Sequence, residues 1–277
     1  MKILVTGATG FIGNHVVNEL LASGHSVVAT SKSENNAINC DWYGQAAYIA
    51  CDIYKTPQIL LNDICDVQAA IHLSWPGLPN YNSLHHIEEN LHRDFTFIKN
   101  LTNSGIKQVL IAGTCFEYGL QDGCLSENTP TAPVTAYGMA KDSLHKFLRI
   151  YQQENQFTLQ WTRLFYLYGP GQGKNSIISQ LDLAINNNVQ RFNMSQGEQL
   201  RDYMDVRNAA KTIVAIMESK KDCVINCCSG KPISIRRLVE EHIQKRNSNM
   251  QLNLGYYKYL DYEPLAFWGC NKKSRKL

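Results

Sequence analysis

The residues best suited to chemistry are a tyrosine and a lysine placed four positions apart, Tyr137 and Lys141. A helix is predicted from Thr135 to Asn155, so the phenol and the ammonium share one face, one turn apart. The ammonium favours the phenolate, and we expect it to lower the Tyr137 pKa from about 10 toward neutrality. Such a phenol can exchange a proton with a carbonyl or an alcohol. The spacing alone is common by chance, so its weight depends on the elements around it.

The Thr114 hydroxyl is a third candidate group. A buried strand is predicted over Gln108–Ala112, and Thr114 follows at its carboxyl end. Ligands of open parallel sheets bind outside the carboxyl ends of the strands. The helix that carries Tyr137 comes next along the chain. We therefore expect the hydroxyl and the phenol to face one crevice.

Three glycines at three-residue spacing, Gly7, Gly10 and Gly13, open the chain. They follow a short apolar run over residues 3–5 and precede a predicted helix at Asn14–Ala22. Glycines here allow a tight turn and a close approach of the backbone to a pyrophosphate at the helix N-terminus. The spacing alone is a weak signal, but the strand before it and the helix after it supply the expected context.

The rest of the first half alternates strands with helices, which predicts an α/β fold with a Rossmann-type, doubly wound parallel sheet. Residues 1–165 are interpreted as the dinucleotide-binding domain. In residues 166–277 the predicted elements are shorter and their alternation is less regular. We therefore expect a smaller C-terminal substrate region that caps the strand ends, with the chain crossing between the two parts. The later predicted strands are Ser26–Ala29, Ala47–Ala50, Ala69–Trp75, Leu159–Leu164, Arg191–Asn193, Tyr203–Val206 and Val224–Cys227. The later predicted helices are Ile87–Ser104, Ser176–Asn186, Asn208–Ser219 and Ile235–Lys245.

The end of the second strand indicates which dinucleotide binds. An NAD enzyme usually places an acid about twenty residues after the glycine turn, where it binds the ribose. Residues 30–33 read Thr-Ser-Lys-Ser, and no carboxylate comes before Glu34. Ser31 and Lys32 suit a 2′-phosphate and favour NADP, with NAD possible and a merely solvated lysine as the alternative. Asp52, after the third strand, could accept from the adenine amino group or cap the next helix.

Composition excludes several classes of function. The 277 residues carry a net charge of +3 and scattered basic side chains, which argues against nucleic acid as a partner. No apolar run approaches the roughly 20 residues of a membrane span. The first core strand is predicted from residue 2, so we expect no signal peptide. The nine cysteines form no C-x-x-C pair, which predicts reduced thiols in a cytoplasmic protein and no zinc site.

The histidines are not predicted to carry chemistry. His72, at a strand end, is interpreted as structural. His85, His86 and His92 fall in a predicted helical region without a carboxylate or cysteine at ligand spacing. We expect these three to be exposed, and no metal site is predicted.

Together these motifs resemble the extended short-chain dehydrogenase/reductases of the nucleotide-sugar epimerase/dehydratase family. By that resemblance Tyr137 is the acid/base, Lys141 binds the nicotinamide ribose and Thr114 orients the sugar carbonyl. Asn90 takes the proton-relay and helix-shaping position, and Arg201 pairs with the diphosphate of a sugar nucleotide. The matching segments are Gly7 to Gly13, Asp52-Ile53, His72-Leu73-Ser74, Asn90, Thr114, Tyr118-Gly119, Tyr137 with Lys141, Tyr168 to Gly171 and Gln199 to Tyr203.

The resemblance therefore implies a NAD(P) groove beside a nucleotide-sugar site. The predicted cofactor-binding residues are Gly7, Gly10, Phe11, Ile12, Gly13, Ser31, Lys32, Asp52, Ile53, Leu73, Ser74, Trp75, Asn90, Tyr137, Lys141 and Leu164. The predicted substrate-binding residues are Trp75, Thr114, Cys115, Tyr166, Asn175 and Arg201.

Departures from the family pattern narrow the reaction. Dehydratases carry Asp-Glu directly after the catalytic threonine, whereas this chain has Cys115 and Phe116. The GDP-fucose-forming epimerase/reductases carry a cysteine two residues after the catalytic hydroxyl, where this chain has Phe116. Tyr166 replaces the asparagine that usually precedes the Tyr-Gly-Pro loop.

Three functions remain open at this point. The favoured one is NADP-dependent reduction of the C4 ketone of a nucleotide-linked 4-keto-6-deoxy sugar, for a surface polysaccharide or glycoconjugate. The second is a 4-epimerase with retained NAD, and the third is a non-catalytic NAD(P)-binding regulatory protein. In the resembled family the Tyr137 and Asn90 helices often pair across a four-helix interface, so we expect a homodimer.

Overall fold

The computed structural model describes residues 1–277, which form fourteen strands and eight α-helices. The strands are β1 (Lys2–Thr6), β2 (Ser26–Ser31), β3 (Ala47–Ala50), β4 (Ala69–His72), β5 (Gln108–Thr114), β6 (Gly123–Leu125), β7 (Thr158–Leu164), β8 (Tyr166–Tyr168), β9 (Arg191–Asn193), β10 (Leu200–Asp205), β11 (Cys223–Cys227), β12 (Pro232–Ser234), β13 (Gln251–Asn253) and β14 (Phe267–Gly269). The helices are α1 (Phe11–Ala22), α2 (Glu34–Ala37), α3 (Pro57–Asn62), α4 (Leu91–Asn103), α5 (Ala136–Glu154), α6 (Ile177–Asn186), α7 (Val206–Ser219) and α8 (Ile235–Lys245).

Seven parallel strands build the central sheet, in the order β3-β2-β1-β4-β5-β7-β11. This order reverses direction between β1 and β4, where a doubly wound sheet opens a ligand crevice beyond its carboxyl edge. The predicted Rossmann-type fold is confirmed. It places the glycine turn after β1 and Thr114, the last residue of β5, on the same edge of the sheet.

Apolar side chains cover both faces of this sheet, as a buried parallel sheet requires. On one face α1 and α7 pack together, with Val16 and Leu20 of α1 against Ile213 and Met217 of α7. The other face is covered by α4 and α5. Its core includes Phe97, Ile98, Leu101, Leu144, Leu148 and Trp161.

The two parts predicted on either side of residue 165 share the central sheet. The strand predicted at Val224–Cys227, in the C-terminal part, is β11, which pairs with β7 and forms one edge of the central sheet. The preceding α7 packs on α1 over the same sheet. The chain therefore leaves the main layer after β7 and returns to it with α7 and β11. The physical reason is the apolar face of α7, which is buried only by packing against the sheet.

The smaller part of the structure begins where β7 ends. There β8 joins β10 and β12 in a three-stranded sheet, and β9 pairs with β13. Helices α6 and α8 pack beside them over a separate apolar cluster that includes Leu181, Phe192 and Val239. Near the end of the chain, β14 pairs with β6 from the loop after β5. The C-terminal segment is thereby brought back to the side of the sheet that carries Thr114.

Two helix starts differ from prediction. The first helix begins at Phe11 rather than Asn14, directly after Gly10. The predicted helix at residues 87–104 begins as a π-helical turn over His86–Asn90 and continues as α4. Such turns are frequent at functional sites and have no simple sequence signature. Of the eight helices, none combines the length and the apolar character that crossing a bilayer would require.

Candidate active site

The glycine turn is shaped for a ligand that approaches the backbone closely. Gly7 has a φ of +68°, and a β-carbon there would lie 3.0 Å from the Ser74 backbone nitrogen. A β-carbon at Gly13 would clash with the Gly7 carbonyl. Gly10 is the N-cap of α1 and offers no side-chain cap, so the first N–H groups of the helix stay available to an anion. These features fit a dinucleotide pyrophosphate.

A groove of about 360 Å³ extends from this turn across the carboxyl edge of β1, β2 and β4. Eight predicted cofactor residues line it: Gly7, Gly10, Ser31, Lys32, Ile53, Leu73, Ser74 and Trp75. Thr9 and Asn36 line it as well and were missed by the sequence reasoning. Both lie next to segments that were correctly identified, so proximity to the glycine turn and to the end of β2 was the available signal.

Near the end of β2 the first carboxylate, that of Glu34, is hydrogen-bonded within the protein. Glu34 accepts a hydrogen bond of 2.7 Å from the Tyr43 hydroxyl and does not line the groove. Lys32 lies 3.4 Å from Asp52. Asp52 also accepts from the Tyr54 backbone N–H, 3.1 Å away, so it supports its own turn and Lys32 rather than capping α3.

The catalytic candidates meet beyond the other end of the groove. The Thr135 hydroxyl caps α5 by accepting from the Gly138 N–H, 3.1 Å away, and this sets the first turn of the helix. The Tyr137 N–H donates to the Tyr81 carbonyl at 2.9 Å, which fixes a loop against the same turn. Tyr137 lies near enough to Thr114 for the Thr114 side chain to lower the pKa of its phenol. Tyr137, Lys141 and Thr114 are all buried, as a water-poor reaction site requires.

Burial dominates the protonation of these groups. It raises the pKa of Tyr137 well above its usual value, and hydrogen bonding by the Thr114 side chain opposes this rise only in part. Burial likewise lowers the pKa of Lys141 to about 8, against the attraction of Asp94 and Glu117. The expected downward shift of the Tyr137 pKa is therefore wrong for this structure. Loss of water around the phenolate, with contributions from Tyr81, Glu117 and Cys115, outweighs the hydrogen bond from Thr114.

Glu117 is a residue of the candidate site that sequence reasoning missed. It is fully buried, and its carboxylate accepts from the Thr114 N–H at 2.8 Å, from the Trp161 indole and from Arg163 Nε at 2.6 Å. The Thr114 hydroxyl in turn accepts from the Phe116 N–H. The Thr-x-x-Glu spacing is the signature of this capping box and could have revealed it. Glu117 thus holds Thr114 in place and has no free oxygen with which to act on a substrate.

A cluster of side chains around Trp75 lies between the groove and α5, the helix that carries Tyr137 and Lys141. The Lys141 ammonium lies 3.8 Å above the Trp75 ring, and the Tyr137 ring lies 5.9 Å from it between centroids. The Trp75 indole N–H donates to His86 Nδ1 at 3.1 Å. The Asn90 amide donates to the Pro76 carbonyl at 3.0 Å and also faces His86. Asn90 therefore holds this loop and the π-helical turn.

The predicted exposure of the histidines is wrong for His86, which is fully buried because the π-helical turn directs it inward. His85 is half-buried and only His92 is exposed. The structural interpretation of His72 is confirmed, since its ring lies between Thr6 Oγ1 at 2.8 Å and Asp94 Oδ1 at 3.1 Å. No group of His, Cys, Asp or Glu side chains is arranged to hold a metal ion.

The guanidinium of Arg201 is not free in this structure. Nη2 donates to Glu263 at 2.7 Å, and Nη1 donates to the Leu200 and Leu265 carbonyls. The other carboxylate oxygen of Glu263 accepts from the Tyr166 hydroxyl at 2.8 Å. Arg201 Nε is buried without a partner. Two predicted substrate residues thus converge on one carboxylate from the C-terminal segment, whose role the sequence did not indicate.

The remaining predicted residues lie outside the groove lining. Phe11, Ile12 and Leu164 are half-buried. Cys115 is packed in an apolar cluster with Tyr118 and Phe165, and burial raises the pKa of its thiol. Asn175 is exposed in the loop before α6. Their contacts with cofactor or substrate stay predictions.

Comparisons with known proteins place this geometry in context. The model of the NAD dependent epimerase/dehydratase family matches residues 3–228. The chain is 31% identical over 271 residues to the dTDP-6-deoxy-L-talose 4-dehydrogenase (NAD(+)) of Aggregatibacter actinomycetemcomitans, across 97% of this chain and 99% of that protein. It is 25% identical over 257 residues to the dTDP-4-dehydro-6-deoxyglucose reductase of Escherichia coli, across 86% of this chain and 80% of that protein.

Among solved structures, the UDP-N-acetylglucosamine 4-epimerase from Methanobrevibacter ruminantium M1, in complex with UDP-N-acetylmuramic acid, superimposes with a TM-score of 0.88. The sequence identity is 23%, and the match covers 99% of this chain and 91% of that chain. At this identity the likeness supports the fold.

Proposed function

The chain belongs to the NAD-dependent epimerase/dehydratase family, and we propose that it reduces the C4 ketone of a nucleotide-diphospho-4-keto-6-deoxy sugar with NADPH. One observation carries the proposal: the Tyr137 phenol is buried next to Thr114, and burial raises its pKa. The carboxylate nearest to Thr114 in sequence, Glu117, is fully engaged in holding the backbone. This arrangement suits proton donation to a ketone and lacks a free base for elimination of water.

In this proposal each residue has a defined task. The cofactor groove would hold NADPH, which would supply the hydride for C4 of the sugar. The Thr114 hydroxyl donates a hydrogen bond to the ketone oxygen, and the Tyr137 phenol donates a proton to that oxygen as it becomes a hydroxyl. The Lys141 ammonium, whose N–H groups bind no protein atom, stabilises the phenolate that remains and binds the nicotinamide ribose. Gly7, Gly10 and the N-terminus of α1 would hold the pyrophosphate.

The overall similarity supports a C4 oxidoreductase. The dTDP-6-deoxy-L-talose 4-dehydrogenase is matched over nearly its full length, and its name describes NAD(+)-dependent dehydrogenation at position 4 of a 6-deoxy sugar. The positions that follow Thr114 are Cys115 and Phe116 rather than a pair of acids. Both observations favour redox chemistry at C4 over dehydration.

The preference for NADPH rests on the end of β2. Ser31, Lys32 and Ser33 line the groove together with Asn36, and no carboxylate lines this part of it. We expect NADPH to exceed NADH in kcat/KM. Replacing Ser31 by Asp, at the last position of β2, should reverse this order because a carboxylate repels a 2′-phosphate and accepts from a ribose diol. Ser23→Asp, on the exposed end of α1, is the control.

The decisive experiment is turnover of a panel of 4-keto-6-deoxy sugars linked to different nucleoside diphosphates. A reductase consumes NADPH in a one-to-one ratio with the keto sugar, measured by nicotinamide absorbance. Purification with bound NAD, indifference to added NADPH and interconversion of two 4-hydroxy sugars would establish the 4-epimerase instead. Binding of NAD(P) without any turnover would indicate a regulatory protein.

Arg201 remains the cation proposed for the substrate diphosphate. The pairing with Glu263 means that the diphosphate must take the place of this carboxylate or share the guanidinium with it. The buried Nε of Arg201 has no hydrogen-bond partner, which supports a guanidinium with a donor still available. A bidentate contact with phosphate is the geometry that arginine favours.

We also propose a cytoplasmic homodimer. Ile87, Met139, Phe147 and Ile150 are large apolar side chains that stay exposed on the outer side of α5 and the turn before α4. Phe147 packs against Phe95 of α4, which makes the apolar surface continuous between the two helices. A second copy of the chain would cover it. All nine cysteines are free thiols, which suits a reducing compartment.

A further inference from the structure

His86 has no role in the chemistry described so far, yet both of its ring nitrogens have hydrogen-bond partners. It lies in the π-helical turn over His86–Asn90 and has no exposed surface. Its Nε2 is 2.9 Å from the Asn80 carbonyl, and its Nδ1 is 3.1 Å from the Trp75 indole nitrogen. The Asn90 amide approaches the same Nδ1 at 3.3 Å.

These partners determine the tautomer. An indole N–H can only donate, so Nδ1 of His86 must accept. A backbone carbonyl can only accept, so Nε2 must carry the proton. His86 is therefore neutral, and burial lowers its pKa, with further contributions from His85 and Lys141. A leucine at this position would leave the indole N–H buried without an acceptor.

Trp75 transmits this constraint to the reaction site. Its ring supports the Lys141 ammonium at 3.8 Å and packs edge-on to the Tyr137 ring. No protein hydrogen bond holds the ammonium, so the aromatic face is its contact on this side. A rotation of the indole would shift the ammonium relative to the phenol and to the groove that Trp75 also lines.

We propose that His86 is a positioning residue that locks the Trp75 ring through the indole N–H and thereby places the Lys141 ammonium beside Tyr137. The role in turnover rests on the proposed function, whereas the link from His86 to Trp75 does not. One measurement therefore tests the link from His86 to Trp75, and a second tests the role in turnover.

The first measurement is the NMR signal of the Trp75 indole N–H, identified by its absence in Trp75→Phe. In the wild type it should be shifted downfield and protected from solvent exchange. His86→Asn should retain both properties, because the asparagine carbonyl can replace Nδ1 as acceptor, whereas His86→Leu should lose them. An indole signal that is unchanged in His86→Leu overturns the proposal, whatever the substrate proves to be.

The second measurement is kcat in a double-mutant cycle. His86→Leu and Trp75→Phe should each lower kcat by about 10- to 10²-fold, since a small displacement of a catalytic group has effects of this size. The double variant should be no slower than the slower single variant, because both changes break one link. His86→Asn should recover most of kcat, and the exposed His92→Leu should match the wild type.

Two outcomes of this cycle would overturn the proposal. One is an equal loss of kcat by His86→Leu in the wild-type and Trp75→Phe backgrounds. The other is a His86→Asn variant that folds, as judged by its melting temperature, but is as slow as His86→Leu. If His86→Leu does not fold, comparison of His86→Asn with Trp75→Phe decides, since only Trp75→Phe removes the donor. A wild type that turns over no keto sugar refutes the proposed function and leaves the NMR result standing.

Discussion

At the scale of single residues, burial decides which form of each catalytic group is present. The Tyr137 phenol is protonated at neutral pH because its anion would lose solvation. The Lys141 charge is retained only below about pH 8. A protonated phenol beside a charged lysine is the state needed to deliver a proton to a ketone. The protonation states thus favour reduction below about pH 8.

Replacing the Tyr137 phenol should test proton transfer directly. Tyr137→Phe removes the donor and keeps the ring that packs on Trp75 and Tyr81. We expect kcat to fall by about 10²- to 10⁴-fold while the dissociation constant of the cofactor changes little. Steady-state kinetics and cofactor titration measure the two effects. Tyr151→Phe, further along α5, is the matched control, and an unchanged rate in Tyr137→Phe would remove the phenol from the mechanism.

Alkaline pH should act in opposite directions on activity and stability. The Lys141 pKa is about 8 in the folded chain and about 10.4 when unfolded. Between these values the unfolded state binds more protons, so Lys141 makes stability rise with pH, by at most about 3 kcal/mol. Reduction should meanwhile slow above pH 8 as the ammonium is lost.

The comparison with Lys141→Met isolates this group. Urea unfolding at several pH values from 7 to 10 measures the free energy of unfolding of both proteins. The alkaline gain of the wild type relative to the methionine variant is the contribution of Lys141. If the free energy of unfolding changes with pH in the same way in both proteins, the lowered pKa of Lys141 is contradicted.

At the scale of elements, the C-terminal segment before β14 contacts the residues proposed to bind the substrate. Glu263 comes from this segment and joins β10, through Arg201, to β8, through Tyr166. The guanidinium also packs 4.8 Å from the centre of the Phe267 ring in β14. The charge available to a substrate is therefore set by a segment that lies far from β10 in the sequence.

Removing the charge of Glu263 should strengthen binding of the diphosphate. Glu263→Gln retains the shape and the acceptor oxygen but leaves Arg201 with its full charge. We expect the dissociation constant of a nucleoside diphosphate sugar to fall about tenfold, or 1.4 kcal/mol, as measured by calorimetry. Glu240→Gln, on the exposed side of α8, is the control. Weaker binding would mean that Glu263 itself contacts the substrate.

At the scale of the whole molecule, the proposed dimer requires one outer surface that a second copy can cover. The carboxyl edge of the sheet is occupied by the groove and by the smaller part of the chain. The sides that carry α1 and α7 bury their apolar residues within the chain. On the outer side of α5 and in the turn before α4 large apolar side chains remain exposed, and contiguous exposed apolar patches mark association surfaces.

A charge on this surface should separate the subunits. Ile150 is 65% exposed, so Ile150→Glu leaves the fold of one chain undisturbed but places a carboxylate inside the proposed interface. Light scattering should report a dimer for the wild type and a monomer for this variant. Leu183→Glu changes a leucine of α6 that is 59% exposed and should stay dimeric. Equal masses for all three proteins would exclude this interface.

The sequence by itself was sufficient for features that depend on local spacing. The glycine turn lies between one strand and one helix, and the Tyr137–Lys141 pair depends on the pitch of a single helix. The order of alternating elements then led to the Rossmann-type sheet and to the edge on which Thr114 lies. Each of these follows from neighbours in the chain and from general rules of chirality.

Only the tertiary structure decided the features that depend on distant partners. Desolvation by the packed core reversed the expected shift of the Tyr137 pKa. A π-helical turn buried His86, and Arg201 received a carboxylate from Glu263, 62 residues away in the chain. The edge strand β11 pairs with β7 in the central sheet, although the strands between them in the chain lie in the smaller sheets. Solvation and pairing are set by all the atoms around a group, most of which come from remote segments, and so local sequence patterns do not contain them.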